Sequence, residues 1–147
     1  MESLFVGCGY VGRQVAHRER DDGGSVGAVV RTSASAAVLG AEGIAAVSAD
    51  LDTEITFSVP VTGRMLYWFA PPPSGGRQDL RLRNLTQRLC ADGQVPSRVV
   101  LISTTGVYGD CQGAWVTEER ALAPQTDRAR RRLDAEIVMR KWCDALG

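Results

Sequence analysis

Lysine and histidine are almost absent from this sequence of 147 residues. Sixteen of the seventeen basic residues are arginine, and the single lysine is Lys141, close to the last residue. A Schiff-base lysine or a P-loop lysine would have to be Lys141, and its position argues against both roles. His17 is the only histidine, so mechanisms that need two imidazole groups are excluded. We expect His17 to be an ordinary polar residue on a helix.

Clustered cysteines, net charge and long apolar runs are also missing. The four cysteines lie far apart, with no C-x-x-C pair, so we expect reduced thiols and no metal site. Seventeen basic residues balance seventeen acidic ones, which argues against binding nucleic acid through bulk charge. No apolar run approaches the roughly 20 residues that span a bilayer, and the N-terminus carries an acid where a secretory signal carries positive charge. These absences favour a cytoplasmic protein that binds neither membrane nor nucleic acid.

The sequence instead contains short apolar runs that alternate with helical patterns. The runs predict strands, the patterns with spacings of three and four predict helices, and Thr126 is a predicted N-cap. Near-continuous apolar strands indicate a parallel sheet covered on both faces. We therefore predict one domain over residues 1–147: a three-layer, doubly wound α/β fold with strand order 3-2-1-4-5. The predicted strands are Ser3–Val6, Val26–Val30, Ile44–Val47, Met65–Phe69 and Arg98–Ile102; the predicted helices are Val11–Arg20, Ser33–Leu39, Gln78–Ala91 and Asp127–Ala145.

A glycine motif lies at the first strand–helix turn. Residues 7–12 read G-C-G-Y-V-G, and this context is the one in which G-x-G-x-x-G predicts a dinucleotide-binding, Rossmann-type site. Gly7 permits the tight turn, Gly9 lets the backbone approach a pyrophosphate, and Gly12 lets helix and strand pack closely. The N–H groups of a helix that begins around Tyr10 and Val11 favour the anion. The alternative is a glycine-rich turn that binds nothing.

Residues after the later strands predict which cofactor is bound. The second strand runs into Arg31 and Thr32, where an acidic residue would favour NAD. Because arginine pairs with a 2′-phosphate, we predict NADP, with NAD as the alternative. Asp50, after the third strand, is placed to meet the adenine amino group. Ala70 and Pro71, after the fourth, are placed to line the adenosine–pyrophosphate region, and the loop that follows them is a predicted active-site loop.

Three further segments carry a resemblance to a known family. Residues 101–109 read L-I-S-T-T-G-V-Y-G, residues 113–118 read G-A-W-V-T-E, and Pro124 precedes the last helix. With the glycine motif, these segments resemble the extended short-chain dehydrogenases/reductases, the family of nucleotide-sugar epimerases and dehydratases, over almost the whole chain. The resemblance is closest to an atypical bacterial epimerase-like branch. It implies a nucleotide-sugar-like or small carbonyl substrate, and Thr104 as the residue that binds and polarises the reacting oxygen. Because the sheet edge after the last helix would be exposed, we also expect pairing with another chain, as in a homo-oligomer.

Two departures from the family weaken the prediction of catalysis. The family's Y-x-x-x-K stretch, which supplies the proton donor and its lysine neighbour, reads R-A-R-R-R at residues 128–132. Arg128 cannot donate a proton because its guanidinium stays charged, whereas Arg132 remains a candidate for holding ribose or phosphate. Tyr108 is a weak candidate for a replacement acid. We expect the rest of the arginine run, including Arg131, to be mostly solvated.

The second departure is length. Relatives continue past the last helix with a sixth strand and a substrate-binding portion, which we expect the 147 residues to lack. We therefore predict little turnover from this chain alone. Three hypotheses stay open: an NADP-dependent epimerase or reductase, a non-catalytic dinucleotide-binding sensor or subunit, and an α/β module that binds no nucleotide.

Overall fold

The computed structural model describes residues 2–147 and contains every predicted helix and strand. The observed ends lie within two residues of the predicted ones. Only the short 3₁₀ helix Thr105–Tyr108 was not predicted. The strands are β1 (Glu2–Val6), β2 (Ser25–Val30), β3 (Ala45–Ser48), β4 (Met65–Trp68) and β5 (Arg98–Leu101); the helices are α1 (Tyr10–Asp21), α2 (Ser33–Ala41), α3 (Leu80–Ala91) and α4 (Asp127–Leu146).

The chain divides into two compact units. The first unit runs to Pro71 and resumes over Asn84–Ile102, and the second comprises Pro72–Arg83 and Ser103–Gly147. All five strands lie in the first unit, and α4 lies in the second. That residues 1–147 form a single domain stays a prediction.

The five strands form one parallel sheet in the order β3-β2-β1-β4-β5. The predicted fold class and strand order are therefore confirmed. β1 lies at the centre, between β2 and β4, and its Leu4, Phe5 and Val6 are almost fully buried. After β1 the chain builds outward through β2 and β3, then returns to add β4 and β5 on the other side. The order in which the strands are added thus reverses beside β1, although all five strands stay parallel. In parallel sheets, ligands bind in the crevice at such a reversal of strand order.

Aromatic stacking and small apolar side chains hold the centre of the first unit together. The Phe5 and Tyr67 rings stack with centroids 4.3 Å apart, and Phe69 meets both edge-on. The Tyr67 hydroxyl donates a 2.7 Å hydrogen bond to Glu19 of α1, so this buried ring keeps a partner for its polar end. No helix among residues 2–147 is long and apolar enough to cross a membrane.

In the second unit, Arg131 and Asp134 of α4 hold the segment 72–83. Arg131 is 8% exposed and donates a 2.6 Å hydrogen bond to the Gly76 carbonyl. Asp134 accepts from the Asp79 backbone N–H at 2.9 Å and from Arg83 at 3.0 Å. The expectation that Arg131 is solvated is therefore wrong: its partner Gly76 lies 55 residues away in sequence, which helical spacing cannot reveal.

Candidate functional site

The first glycine of the motif is required by the backbone itself. Gly7 has φ +86°, a left-handed conformation, and a Cβ built on it would lie 2.4 Å from the backbone nitrogen of Ala70. Ala70 is 4% exposed and follows β4. Gly7 and Ala70 are thus brought side by side, as the predicted site requires, and no side chain fits between them.

The third glycine is required by packing. A Cβ on Gly12 would lie 3.0 Å from the Gly7 carbonyl oxygen and 3.6 Å from the Cys8 sulfur. Gly12 is buried in the first turn of α1. The close approach of α1 to the turn before it therefore accounts for this glycine, and a role in cofactor binding stays a prediction.

The second glycine, by contrast, is surrounded by open space. A Cβ on Gly9 would meet no atom within 4 Å, and its φ of −81° is accessible to any residue. Gly9 is the N-cap of α1 and offers no side chain to the first-turn amides. Tyr10 is 84% exposed and Val11 51%. The N-terminal end of α1 is therefore open to solvent and free of acidic side chains in its first turn.

The turn after β2 carries positive charge without a nearby acid. Arg31 is exposed and forms no hydrogen bond or ion pair with residues 2–147. The Thr32 hydroxyl caps α2 by accepting from the Ser35 N–H at 3.1 Å, and it also lies 2.9 Å from the Ser35 hydroxyl. Arg31 is thus unpaired, whereas Thr32 is already engaged in helix capping.

Asp50 shapes the turn after β3. One of its carboxylate oxygens accepts from the Asp52 N–H at 3.0 Å, and its carbonyl accepts from the Thr53 hydroxyl at 3.1 Å. These hydrogen bonds give Asp50 a structural role in the turn that needs no ligand. Its predicted contact with the adenine amino group stays a prediction. Pro71 follows Ala70 on the exposed surface.

A cavity of about 470 Å³ borders the glycine turn within the first unit. It lies between the start of α1 and one face of α2, and Arg13 is its one charged lining residue. Burial raises the pKa of the Cys8 thiol, which also lines the cavity, to about 11. The lining residues are Cys8, Gly9, Tyr10, Arg13, Ala34, Ser35, Val38 and Leu39.

Arg13 was missed by the sequence-based prediction. Its Nε donates to Glu42 Oε2 at 3.1 Å and its Nη2 donates to Glu42 Oε1, which makes a bidentate ion pair. His17 Nε2 lies 3.0 Å from Glu42 Oε2, so His17 has a polar partner across the helix pair. The sequence does show a cation directly after the third glycine, which could have marked Arg13 as a candidate. It does not show that Glu42, 29 residues away, is the partner of Arg13.

In the second unit, Thr104 is the N-cap of the 3₁₀ helix Thr105–Tyr108. Its hydroxyl oxygen accepts from the Gly106 N–H at 3.3 Å, which leaves the hydroxyl hydrogen able to donate. Thr104 is exposed, and Tyr108 is half-buried at the end of the same 3₁₀ helix. Nearby, the Ser103 hydroxyl bonds Glu136 of α4.

The two arginines at the family's tyrosine and lysine positions lie in different environments. Arg128 is exposed, whereas Arg132 is half-buried and its Nη1 is buried without a hydrogen-bond partner among residues 2–147. Burial lowers the pKa of Arg132, while Asp79 and Glu136 oppose that shift. Asp79 is fully buried, burial raises its pKa, and its Oδ1 accepts from the Leu82 N–H at 3.1 Å. Arg132 thus faces a buried carboxylate of its own unit.

Similar folds occur among solved structures. A functionally unknown conserved protein from Silicibacter pomeroyi matches with a TM-score of 0.77 and 27% identity, over 96% of this chain and 49% of its own. A short-chain dehydrogenase/reductase superfamily protein from Agrobacterium tumefaciens with bound NAD matches with a TM-score of 0.75 and 22% identity, over 96% and 44%. The UDP-Glc/GlcNAc 4-epimerase from Campylobacter jejuni matches with a TM-score of 0.73 and 17% identity, over 98% and 49%.

These matches concern the fold. The chain spans about half the length of the structures that it matches. No family model and no curated protein matches the sequence. The structural matches confirm the fold that the resemblance implied: a parallel α/β sheet of the kind also present in the A. tumefaciens and C. jejuni structures.

Proposed function

We propose that this chain binds a nicotinamide dinucleotide at the turn between β1 and α1. The pyrophosphate lies over Gly9, where the N–H groups at the start of α1 donate to its oxygens. The observation that supports this most is the open space around Gly9. Packing and backbone conformation account for Gly7 and Gly12, but no protein atom requires a glycine at position 9. A ligand that approaches the backbone does require it.

The proposed cofactor is NADP, with NAD as the alternative. Arg31 supports NADP because it is exposed, unpaired and free of a neighbouring carboxylate at the end of β2. NAD is the cofactor named for the similar structure from A. tumefaciens. Asp50, Ala70 and Pro71 complete the proposed adenosine side of the site, and Arg132 remains a candidate for the ribose or phosphate.

For activity, we propose an epimerase-like or reductase-like reaction on a nucleotide-sugar-like or small carbonyl substrate. Thr104 would donate its free hydroxyl hydrogen to the reacting oxygen, while the cofactor supplies the hydride chemistry. The second candidate is a dinucleotide-binding protein without turnover. It is favoured by Arg128, which cannot act as a proton donor at the position where the family has tyrosine.

A pair of matched glycine variants tests cofactor binding. Gly9→Ala places a methyl group where the pyrophosphate would approach, and Gly40→Ala places one on α2; neither meets a protein atom within 4 Å. We expect calorimetric titration to give at least tenfold weaker binding of both NADPH and NADH for Gly9→Ala, and unchanged binding for Gly40→Ala. Equal affinity in Gly9→Ala and the native chain would contradict the proposed site.

Turnover separates the two candidate functions: a reductase oxidises NADPH, whereas an epimerase regenerates its cofactor and is detected by the interconversion of the sugar epimers. Turnover with any member of a panel of sugar nucleotides and small carbonyl compounds, lost in Thr104→Val, supports the enzyme. Cofactor binding without turnover across the panel supports the sensor or subunit.

A further inference from the structure

We propose that Arg13, held in place by Glu42, recognises the 2′-phosphate that distinguishes NADPH from NADH. This inference rests on the proposed dinucleotide site and assigns a second specificity-determining residue beside Arg31. It is carried by the cavity between the start of α1 and one face of α2, by the one cation that lines this cavity and by the hydrogen bonding of Arg13.

The cavity has the size of a ligand site, a mostly apolar lining and one cationic group. Its volume of about 470 Å³ falls in the range of ordinary ligand pockets. No acidic residue lines it, and Arg13 is its one charged lining residue, with the Glu42 carboxylate behind it offsetting part of that charge. Gly9 and Tyr10 at the start of α1, and Ala34 and Ser35 in the first turn of α2, add the positive ends of two helices.

The hydrogen bonding of Arg13 leaves half of its guanidinium available. Nε and Nη2 face the Glu42 carboxylate, which uses one edge of the fork. Nη1 makes no hydrogen bond within residues 2–147. A guanidinium has five N–H donors, so the second edge, formed by Nη1 and the remaining Nη2 hydrogen, can bind two phosphate oxygens at once.

Glu42 orients this edge and is itself held by other groups. The carboxylate also contacts His17 at 3.0 Å, and the Glu42 carbonyl accepts from Arg20. Glu42 is the C-cap of α2, so the pair connects the end of α2 to the first turn of α1. A guanidinium already fixed in one geometry loses less conformational entropy when it binds a phosphate. Glu42 is therefore a positioning residue for Arg13.

The two arginines have separable roles. Arg31 is exposed and does not line the cavity, whereas Arg13 does. A phosphate that uses both would be contacted from the turn after β2 and from α1. Removal of either arginine then weakens NADPH binding, and neither removal affects NADH, which has no 2′-phosphate.

Titrations of four variants with NADPH and NADH test this inference. We expect Arg13→Gln to weaken NADPH binding at least tenfold and to leave NADH within about twofold. Arg13→Lys, which keeps the charge but loses the fork, should fall between Arg13→Gln and the native chain. Glu42→Gln should weaken NADPH several-fold through the loss of orientation. Arg18→Gln, an exposed cation on the same helix, is the matched control and should change neither cofactor.

The outcomes separate this inference from the proposed function. Equal effects of Arg13→Gln on NADPH and NADH, or no effect on NADPH, would overturn the role of Arg13 while the dinucleotide site stands. A folded native chain that binds neither cofactor would overturn both. Circular dichroism of each variant confirms folding, and titration with adenosine 2′,5′-bisphosphate against adenosine 5′-phosphate isolates the contribution of the 2′-phosphate.

Discussion

At the residue scale, the glycines of the first turn differ in what surrounds them. Gly7 meets the Ala70 backbone, Gly12 meets the Gly7 carbonyl, and Gly9 meets nothing. One spacing motif therefore contains two residues fixed by the fold and one that the fold leaves unconstrained. Substitutions at these positions should separate stability from binding.

Gly7→Ala should destabilise the protein far more than conformational strain alone does. Alanine at position 7 combines φ +86° with a clash at 2.4 Å against backbone atoms, so we expect a loss of at least about 3 kcal/mol in the free energy of unfolding. Gly23→Ala is the control, because Gly23 has φ +83° but open space around it. Urea denaturation measures both. A Gly7→Ala loss no larger than that of Gly23→Ala would contradict the close approach to Ala70.

Arg31→Asp should reverse the cofactor preference. The carboxylate repels a 2′-phosphate and accepts hydrogen bonds from the ribose hydroxyls of NADH. We expect NADPH binding to weaken at least tenfold and NADH binding to tighten, as measured by calorimetry. Unchanged affinities for both cofactors would place the 2′-phosphate site away from the end of β2.

At the element scale, the start of a helix could be predicted from the sequence where the capping residue directly precedes the helical pattern. Thr126 is predicted to cap α4, and its hydroxyl does accept from the Ala129 N–H at 3.2 Å. Asp79 was not predicted as a cap, although its Oδ1 binds the Leu82 N–H in the same way. The predicted helix began at Gln78, one residue before Asp79. Because Gln78 and Asp79 are both polar, the spacing of apolar residues does not show which of them caps the helix.

Asp79 should stabilise α3 as a hydrogen-bond acceptor. Asp79→Ala removes the cap, and we expect a loss of about 1–2 kcal/mol in the free energy of unfolding beyond that of Asp79→Asn. The asparagine oxygen can still accept from Leu82 N–H, and both variants equally remove the charge that faces Arg132. Thermal or urea unfolding of the pair measures the difference. Equal stabilities would show that the cap contributes nothing.

At the scale of the whole molecule, the periodicity of apolar residues was sufficient to predict the strand order of the sheet. It was not sufficient to predict which charged side chains form ion pairs. The apolar runs and right-handed crossovers led to the order 3-2-1-4-5, since few topologies satisfy both. The pairs Arg13–Glu42 and Arg83–Asp134 join residues 29 and 51 positions apart. Local patterns contain no information about such partners, so the burial of Arg131 and the pairing of Arg13 with Glu42 required the folded structure.

The molecule should lose stability in alkaline solution. Burial raises the pKa of Cys8 from 9.0 to about 11, and burial with the Glu19 hydrogen bond raises the pKa of Tyr67 from 10.0 to about 12. Both groups are neutral when protonated, so the folded state holds protons that the unfolded state releases first. Their contribution to stability is complete below about pH 9 and is lost as the pH rises toward 11 or 12.

Cys8→Ala measures the thiol's share of that loss. One pKa unit corresponds to about 1.4 kcal/mol, so the fall in the free energy of unfolding between pH 8 and pH 10 should be smaller by about 1 kcal/mol in Cys8→Ala. Cys90→Ala, at an exposed thiol, should follow the native chain. An identical fall in all three proteins would contradict the burial of Cys8.

The most direct test of the account follows the backbone amides while NADPH is added. Nuclear magnetic resonance of the labelled chain reports the N–H signals of Gly9, Tyr10 and Val11 separately from those of the rest of the sheet. If the start of α1 binds the pyrophosphate, these signals shift most, together with that of Thr32 near the proposed 2′-phosphate site. A dispersed spectrum whose Gly9, Tyr10 and Val11 signals stay unmoved at millimolar NADPH and NADH would contradict dinucleotide binding by this chain.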